Sequence, residues 1–175
     1  GAFIMTKRNE TYLFSDCTIN INPNAQELAE VAVQRAKPAE LFDIDPVVAM
    51  LSFSTKGSAA GPDVDKVREA TEIAQKLAPE YKIDGELQFD AAFVPTVAKL
   101  KAPESDVAGK AKVFVFPEIQ SGNIGYKIAQ RFGGFEAIGP ILQGLNKPVS
   151  DLSRGCNEED VYKLSIITAA QTLLD

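Results

Sequence analysis

Two short runs in the chain, Val47-Val48-Ala49-Met50-Leu51 and Val113-Phe114-Val115-Phe116, contain no polar residue at any position. Successive side chains of a strand point to opposite faces. A strand that is apolar on both faces needs cover on both sides, as in a parallel sheet held between two helical layers. The intervening segments support this. Beyond Pro62, the residues Val64, Val67, Ala70, Ile73, Ala74 and Leu77 share one helical face, which ends at Pro79. Ile83 to Phe89 reads as a weaker strand, and Ala91 to Leu100 as a helix broken or bent near Pro95. Ser121 to about Phe132 reads as a helix, and Ala137 to Leu142 as a last strand. Strand and helix alternate beyond residue 45, which predicts a three-layer α/β/α sandwich around a mostly parallel sheet.

The two ends of the chain are less regular. Phe3 to Met5 and Tyr12 to Ile21 read as strands joined by the polar turn Thr6 to Glu10, a spacing that suits a hairpin. Asn24, with Glu27 three residues on, forms a capping-box pattern. The helix it opens is expected to stop at Pro38, leaving a short second helix from Ala39 to Ile44. After the last strand, an irregular loop from Gln143 to Cys156 leads into a helix from about Glu158 to Leu174. Val161, Leu164, Ile166, Ile167, Ala169, Ala170, Leu173 and Leu174 cover more than one face of that helix, so it is expected to have a partner. The opening Gly1-Ala2-Phe3-Ile4-Met5 is apolar from the start, as though inside a strand. A cut leader or a piece of a longer protein is the expectation.

Composition restricts the chemistry. The chain has 175 residues, 45% of them apolar, enough for one domain with a sizeable core. A net charge of −6, from 18 basic and 24 acidic residues, excludes a general nucleic-acid coat. It leaves room for one local anion site. No apolar run approaches the roughly 20 residues of a membrane helix. The chain has no His, so it has neither a Ser-His-Asp nor a Cys-His relay and no imidazole metal ligand; no metal is expected. Cys17 and Cys156 stand in unrelated contexts without a secretory signal, which suggests reduced thiols and a cytoplasmic setting.

Three loops carry candidate chemistry. In Phe116 to Gly125, glycines entering a helix can turn backbone N–H groups toward an anion, with Ser121, Gly122 and Asn123 as the binding candidates. The same residues also describe an ordinary Gly-rich turn capped by Ser121 or Asn123. In Asp151 to Asp160, a hydroxyl (Ser153), a guanidinium (Arg154) and a carboxylate (Asp160) converge before a helix. Arg holds phosphate in a fork, a hydroxyl serves a developing oxyanion, and a carboxylate accepts a proton. Asn157 with Asp160 equally describes a capping box. Lys56, in Thr55-Lys56-Gly57-Ser58, is either an anion contact beyond a strand end or a solvated lysine. Cys17 reads as a small buried hydrophobe, since no His is present to activate it.

Several stretches together resemble the phosphate acetyltransferase (phosphotransacetylase) family. They are Gly1 to Met5, Phe14 to Asn20, Val48 to Ser58, Asp84 to Ala92, Gly122 to Lys127, Gly139 to Gly144 and Asp151 to Cys156. The related phosphate butyryltransferases share less of the pattern. The resemblance implies a fold of the isocitrate/isopropylmalate dehydrogenase-like kind, with two α/β domains flanking a cleft. Residues 1–141 would be the second domain, and residues 142–175 a C-terminal segment returning to a first domain absent here. It also implies a homodimer without nucleic-acid or membrane partners. The implied activity interconverts acetyl-CoA plus phosphate with acetyl phosphate plus CoA, with coenzyme A as substrate. Asp160 would take the thiol proton, Ser153 would serve the carbonyl oxygen and Arg154 would hold phosphate. The alternatives are a butyryltransferase-type enzyme, or a folded, non-catalytic dimerisation or scaffold domain when isolated.

Overall fold

The computed structural model describes residues 1–174. In chain order the elements are β1 (Ala2–Lys7), β2 (Glu10–Ser15), α1 (Ala25–Leu41), β3 (Val47–Leu51), α2 (Pro62–Leu77), β4 (Lys82–Leu87), α3 (Phe89–Phe93) and α4 (Pro95–Lys101). They continue with β5 (Val113–Val115), α5 (Ile119–Arg131), β6 (Glu136–Leu142), β7 (Val149–Ser150) and α6 (Glu158–Gln171), closed by a 3-10 turn at Thr172–Leu174. All seven strands join one sheet in the order β4-β3-β5-β2-β1-β6-β7.

The two all-apolar strands lie where their pattern demands. Val48, Met50, Val113 and Val115 face one core, shared with Leu28, Ala32 and Ala36 of α1, Val67 and Ala70 of α2, and Leu164 of α6. Val47, Ala49, Leu51 and Phe114 face the other, with Ala92 of α3, Ala98 of α4, and Tyr126 and Ala129 of α5 packed against it. The three layers are therefore α1/α2/α6, sheet, and α3/α4/α5. The sheet itself is mixed rather than mostly parallel. Of its six neighbour pairings, β3–β4, β3–β5 and β2–β5 are parallel, whereas β1–β2, β1–β6 and β6–β7 are antiparallel. The hairpin places β1 antiparallel beside β2, and β6 then pairs with its free edge.

Several boundaries differ from the sequence reading, two of them substantially. Strand β2 ends at Ser15 instead of running to Ile21. The Asp16 carboxylate accepts the backbone N–H groups of Thr18 (2.9 Å), Ile19 (3.1 Å) and Asn20 (3.1 Å), and so curls the chain into a turn. Helix α1 passes through Pro38 to Leu41, so there is no separate helix from Ala39 to Ile44. Proline removes one helical hydrogen bond, but Ala36 and Ala39 are fully buried against the sheet and hold the axis in place. The helix stops just before Asp43, whose φ is 55°. The Asn24–Glu27 capping box and the break at Pro95 are as expected. Residues 142–174 add β7 to the sheet edge and bury Leu164 of α6. Val161, Tyr162 and Ile166 of α6 stay exposed, so its apolar surface is only partly covered.

At the carboxyl edge of the parallel strands, Glu86 is 2% exposed. It accepts hydrogen bonds from the Gly57 nitrogen (2.7 Å), Ser54 Oγ (2.9 Å) and Arg68 Nε (3.4 Å). Burial alone would raise its carboxyl, but these donors outweigh it and hold it below the usual carboxylate range. Near pH 4 the unfolded chain therefore binds a proton at Glu86 that the folded chain refuses. Its contribution is full above the unfolded value of about 4.3 and is lost as pH falls through the folded value. Melting temperature against pH should show a steeper fall below about pH 4.3 in the wild type than in Glu86→Gln, and parallel curves would contradict this.

Candidate active site

Strand β7 pairs with the end of β6, and the Asp151 nitrogen then donates to the Pro140 carbonyl at 3.1 Å, keeping the chain beside β6. The next residues form a tight turn. The Cys156 nitrogen donates to the Ser153 carbonyl at 3.0 Å, and the Gly155 nitrogen to Ser153 Oγ at 3.3 Å. Asn157 then starts α6 with reciprocal bonds, Asp160 N to Asn157 Oδ1 and Asn157 N to Asp160 Oδ2, both 2.9 Å. The capping-box reading of Asp160 is thus realised, and it engages only part of the carboxylate. One carboxylate oxygen fixes the helix start, and Oδ1 makes no hydrogen bond among the described residues.

Between this turn and α5 lies a cavity of about 110 Å³. Ser153, Cys156 and Asp160 line one side, and Phe3, Tyr126 and Arg131 line the other. The Phe3 and Tyr126 rings stack at 4.0 Å with an interplanar angle of 18°, which makes that wall flat and stiff. Ser153 and Asp160, seven residues and a helix start apart in sequence, therefore open onto one space. Arg154 sits in the same turn but does not line the cavity. It is exposed and makes no ion pair or hydrogen bond among the described residues, which leaves its fork of donors available. Sequence reasoning missed Tyr126, Gln130 and Arg131. Their signal was the spacing on α5: Tyr126 and Gln130 lie one turn apart on the same face.

The other candidates have partners already. Helix α5 is capped by Glu118, not by Ser121 or Asn123. The Glu118 carboxylate accepts the Ser121 and Gln120 nitrogens, both at 2.7 Å, so the donors an anion would need there are occupied. Burial works to raise the Glu118 carboxyl, and the bonds from Ser121 and Gln120 outweigh it and hold it low. Gly122 touches the preceding turn so closely that a Cβ would sit 2.2 Å from the Asp16 carbonyl oxygen. Asn123 Nδ2 donates to the Cys17 carbonyl at 3.2 Å. Gly122 and Asn123 thus hold the start of α5 against residues 16–17, while Ser121 bonds to Glu118 through both its nitrogen and its hydroxyl. Lys56 is exposed, and its ammonium pairs with Asp84 and donates to the Gly85 carbonyl at 2.8 Å. Cys17 is fully buried, and burial together with Asp16 pushes its thiol up to about 12, so it stays protonated as a small core residue.

Comparison with known proteins places this arrangement. The profile of the family described as phosphate acetyl/butaryl transferase matches residues 1–169. The chain belongs to this family. It is 64% identical, over 99% of its length, to the phosphate acetyltransferase of Bacillus subtilis (strain 168). A crystal structure of a phosphotransacetylase from Streptococcus pyogenes is 67% identical over the whole chain and superposes with a TM-score of 0.97. A branched-chain phosphotransacylase from Enterococcus faecalis V583, at 24% identity, shares the fold with a TM-score of 0.77. The chain covers 54% of the B. subtilis and S. pyogenes proteins, so it spans about half the length of these phosphate acetyltransferase relatives. No helix among the described residues is long and apolar enough to cross a membrane.

The close approach at Gly122 gives a direct test of its structural role. Gly122→Ala forces a methyl against the Asp16 carbonyl and should destabilise the fold by about 1–3 kcal/mol, measured by urea denaturation. An unchanged midpoint would return Gly122 to the list of ligand contacts.

Proposed function

We propose that this chain forms one wall of an acyltransferase site that moves an acetyl group between coenzyme A and phosphate. The observation that carries this is the shared cavity of Ser153 and Asp160, with the unpaired Arg154 in the same turn. Asp160, through its free oxygen Oδ1, accepts the proton of the CoA thiol. The thiolate attacks the carbonyl carbon of acetyl phosphate and forms a C–S bond. Ser153 donates a hydrogen bond to the carbonyl oxygen as it gains charge. The bond from carbon to the phosphate oxygen breaks, its electron pair stays on phosphate, and Arg154 offsets that charge. Arg131, on the opposite wall, supplies a second cation. Transfer is direct, with both substrates bound and no acyl-enzyme.

A cavity of about 110 Å³ has room for the reacting ends and not for the whole of coenzyme A. The arm and nucleotide require further surface, which the remaining length of the relatives would supply. The exposed apolar residues of α6, in the segment 142–175, are suited to meet that second half. The homodimer and the cytoplasmic setting belong to the same proposal. In it, Ser121, Gly122 and Asn123 buttress α5 and do not hold the cofactor. The second reading, a folded scaffold without turnover, rests on the same half-open cavity. Orientation alone is worth roughly 7–11 kcal/mol of rate, so the isolated chain should show negligible acetyl-CoA formation.

Substitutions in an enzyme carrying both halves test the assignment. Asp160→Asn keeps an oxygen for the helix cap and loses the base, so turnover should fall by about 10²–10⁴-fold with little change in melting temperature. Ser153→Ala should cost about 10²–10³-fold in turnover. Arg154→Ala should weaken the use of acetyl phosphate by about 10–100-fold, the worth of a charge-assisted bond. Near-normal steady-state constants for all three would remove this turn from the active site.

A further inference from the structure

The clearest unused group in the molecule is Arg35. It lies in the middle of α1 and is 2% exposed. A buried charge is expected to sit against an opposite one, yet no carboxylate lies within 4.0 Å of this guanidinium among the described residues. Asp16, the acid whose charge it feels, spends its oxygens on Gly1, Thr18, Ile19 and Asn20. Arg35 Nε donates to Ser15 Oγ at 2.6 Å, and Nη1 donates to Gln143 Oε1. Nη2 makes no hydrogen bond among the described residues. A guanidinium only donates, so Gln143 must turn its oxygen to Arg35, and its Nε2 is then left buried without a partner. Two sets of unused donors thus sit together.

They border a cavity of about 240 Å³ between α1 and the Leu142–Leu145 segment, which shares no lining residue with the Ser153–Asp160 cavity. Its walls mix these donors with the apolar side chains of Val31, Leu142 and Leu145. Glu27 and Glu30 stand at its border as well, and so does the Gly1 ammonium, which is already paired with the Asp16 carboxylate at 2.8 Å. Two carboxylates repel a doubly charged phosphate more strongly than a singly charged ligand. An apolar wall favours an alkyl group over a hydrated oxyanion.

We propose that this cavity is a binding site for a short aliphatic monocarboxylate, with the carboxylate on Arg35 Nη2 and its alkyl end against Val31 and Leu145. The site is independent of the acyl-transfer reading. Its occupant completes the hydrogen bonding of a buried cation whose burial, only partly offset by Asp16 and Cys17, pulls the guanidinium down to about 10.

Titration of the 175-residue protein with acetate, butyrate, inorganic phosphate and chloride, at constant ionic strength, tests this by ¹H–¹⁵N spectra. Acetate and butyrate should shift the Arg35 Nε–H and Gln143 side-chain amide signals saturably, butyrate at lower concentration, while phosphate and chloride should not. Leu145→Asp, on the exposed rim, should retain the fold and weaken butyrate binding about fivefold by adding a third negative charge. Absence of saturation, an equal response to phosphate or chloride, or unchanged butyrate affinity in Leu145→Asp would overturn the proposal.

Discussion

Burial of β3 and β5 on both faces is the constraint from which the rest of the structure follows. Val47 to Leu51 and Val113 to Val115 have no surface compatible with water, so helices must cover the sheet above and below. With both faces sealed, polar chemistry is confined to the edges of the sheet. The carboxyl edge of the parallel strands is organised by acids that gather backbone donors, Asp16 after β2 and Glu86 at the end of β4. These turns are scaffolding: the two carboxylates spend their oxygens on neighbouring donors of the chain itself.

The side chains proposed to react lie instead beside β6, where the chain leaves the sheet and returns as α6. There the fold supplies rigidity on both sides of a small gap. The stacked rings of Phe3 and Tyr126 fix the α5 wall, and the Asn157–Asp160 capping box fixes the opposite one. A carboxylate that caps a helix with one oxygen and presents the other is held without a dedicated partner. This explains how one residue serves both the start of α6 and the proposed proton transfer. Arg154, in the same turn, is left without an ion pair among the described residues, which suits the proposed phosphate contact.

Much of the architecture was legible in the sequence because apolar periodicity reports burial directly. The two all-apolar runs, the α2 face from Val64 to Leu77, the Asn24–Glu27 box and the Pro95 break all appear where their patterns place them. The failures share a cause, tertiary partners that no local pattern encodes. Asp16 ends β2 by side-chain capture, sheet packing carries α1 through Pro38, and the β1–β6 pairing makes the sheet mixed. In the site, Ser153, Arg154 and Asp160 were visible as residue types in one loop. Tyr126, Gln130 and Arg131 were not, because they join that loop only through the packing of α5. The Gly-rich start of α5 left two readings open for a similar reason. Its glycine answers the Asp16 carbonyl, and its amide donors answer Glu118.

The central claim is that the thiol of coenzyme A reacts in the gap between α5 and the Ser153–Asp160 turn. A crystal structure of the two-half enzyme with coenzyme A and a non-reactive acetyl phosphate analogue tests it most directly. The account predicts the CoA sulfur within hydrogen-bond reach of Asp160, the analogue's carbonyl oxygen at Ser153 Oγ, and its phosphate or phosphonate group on Arg154. A sulfur bound at the opposite end of α5, against Ser121 and Asn123, with Asp160 turned only to its helix cap, would contradict it.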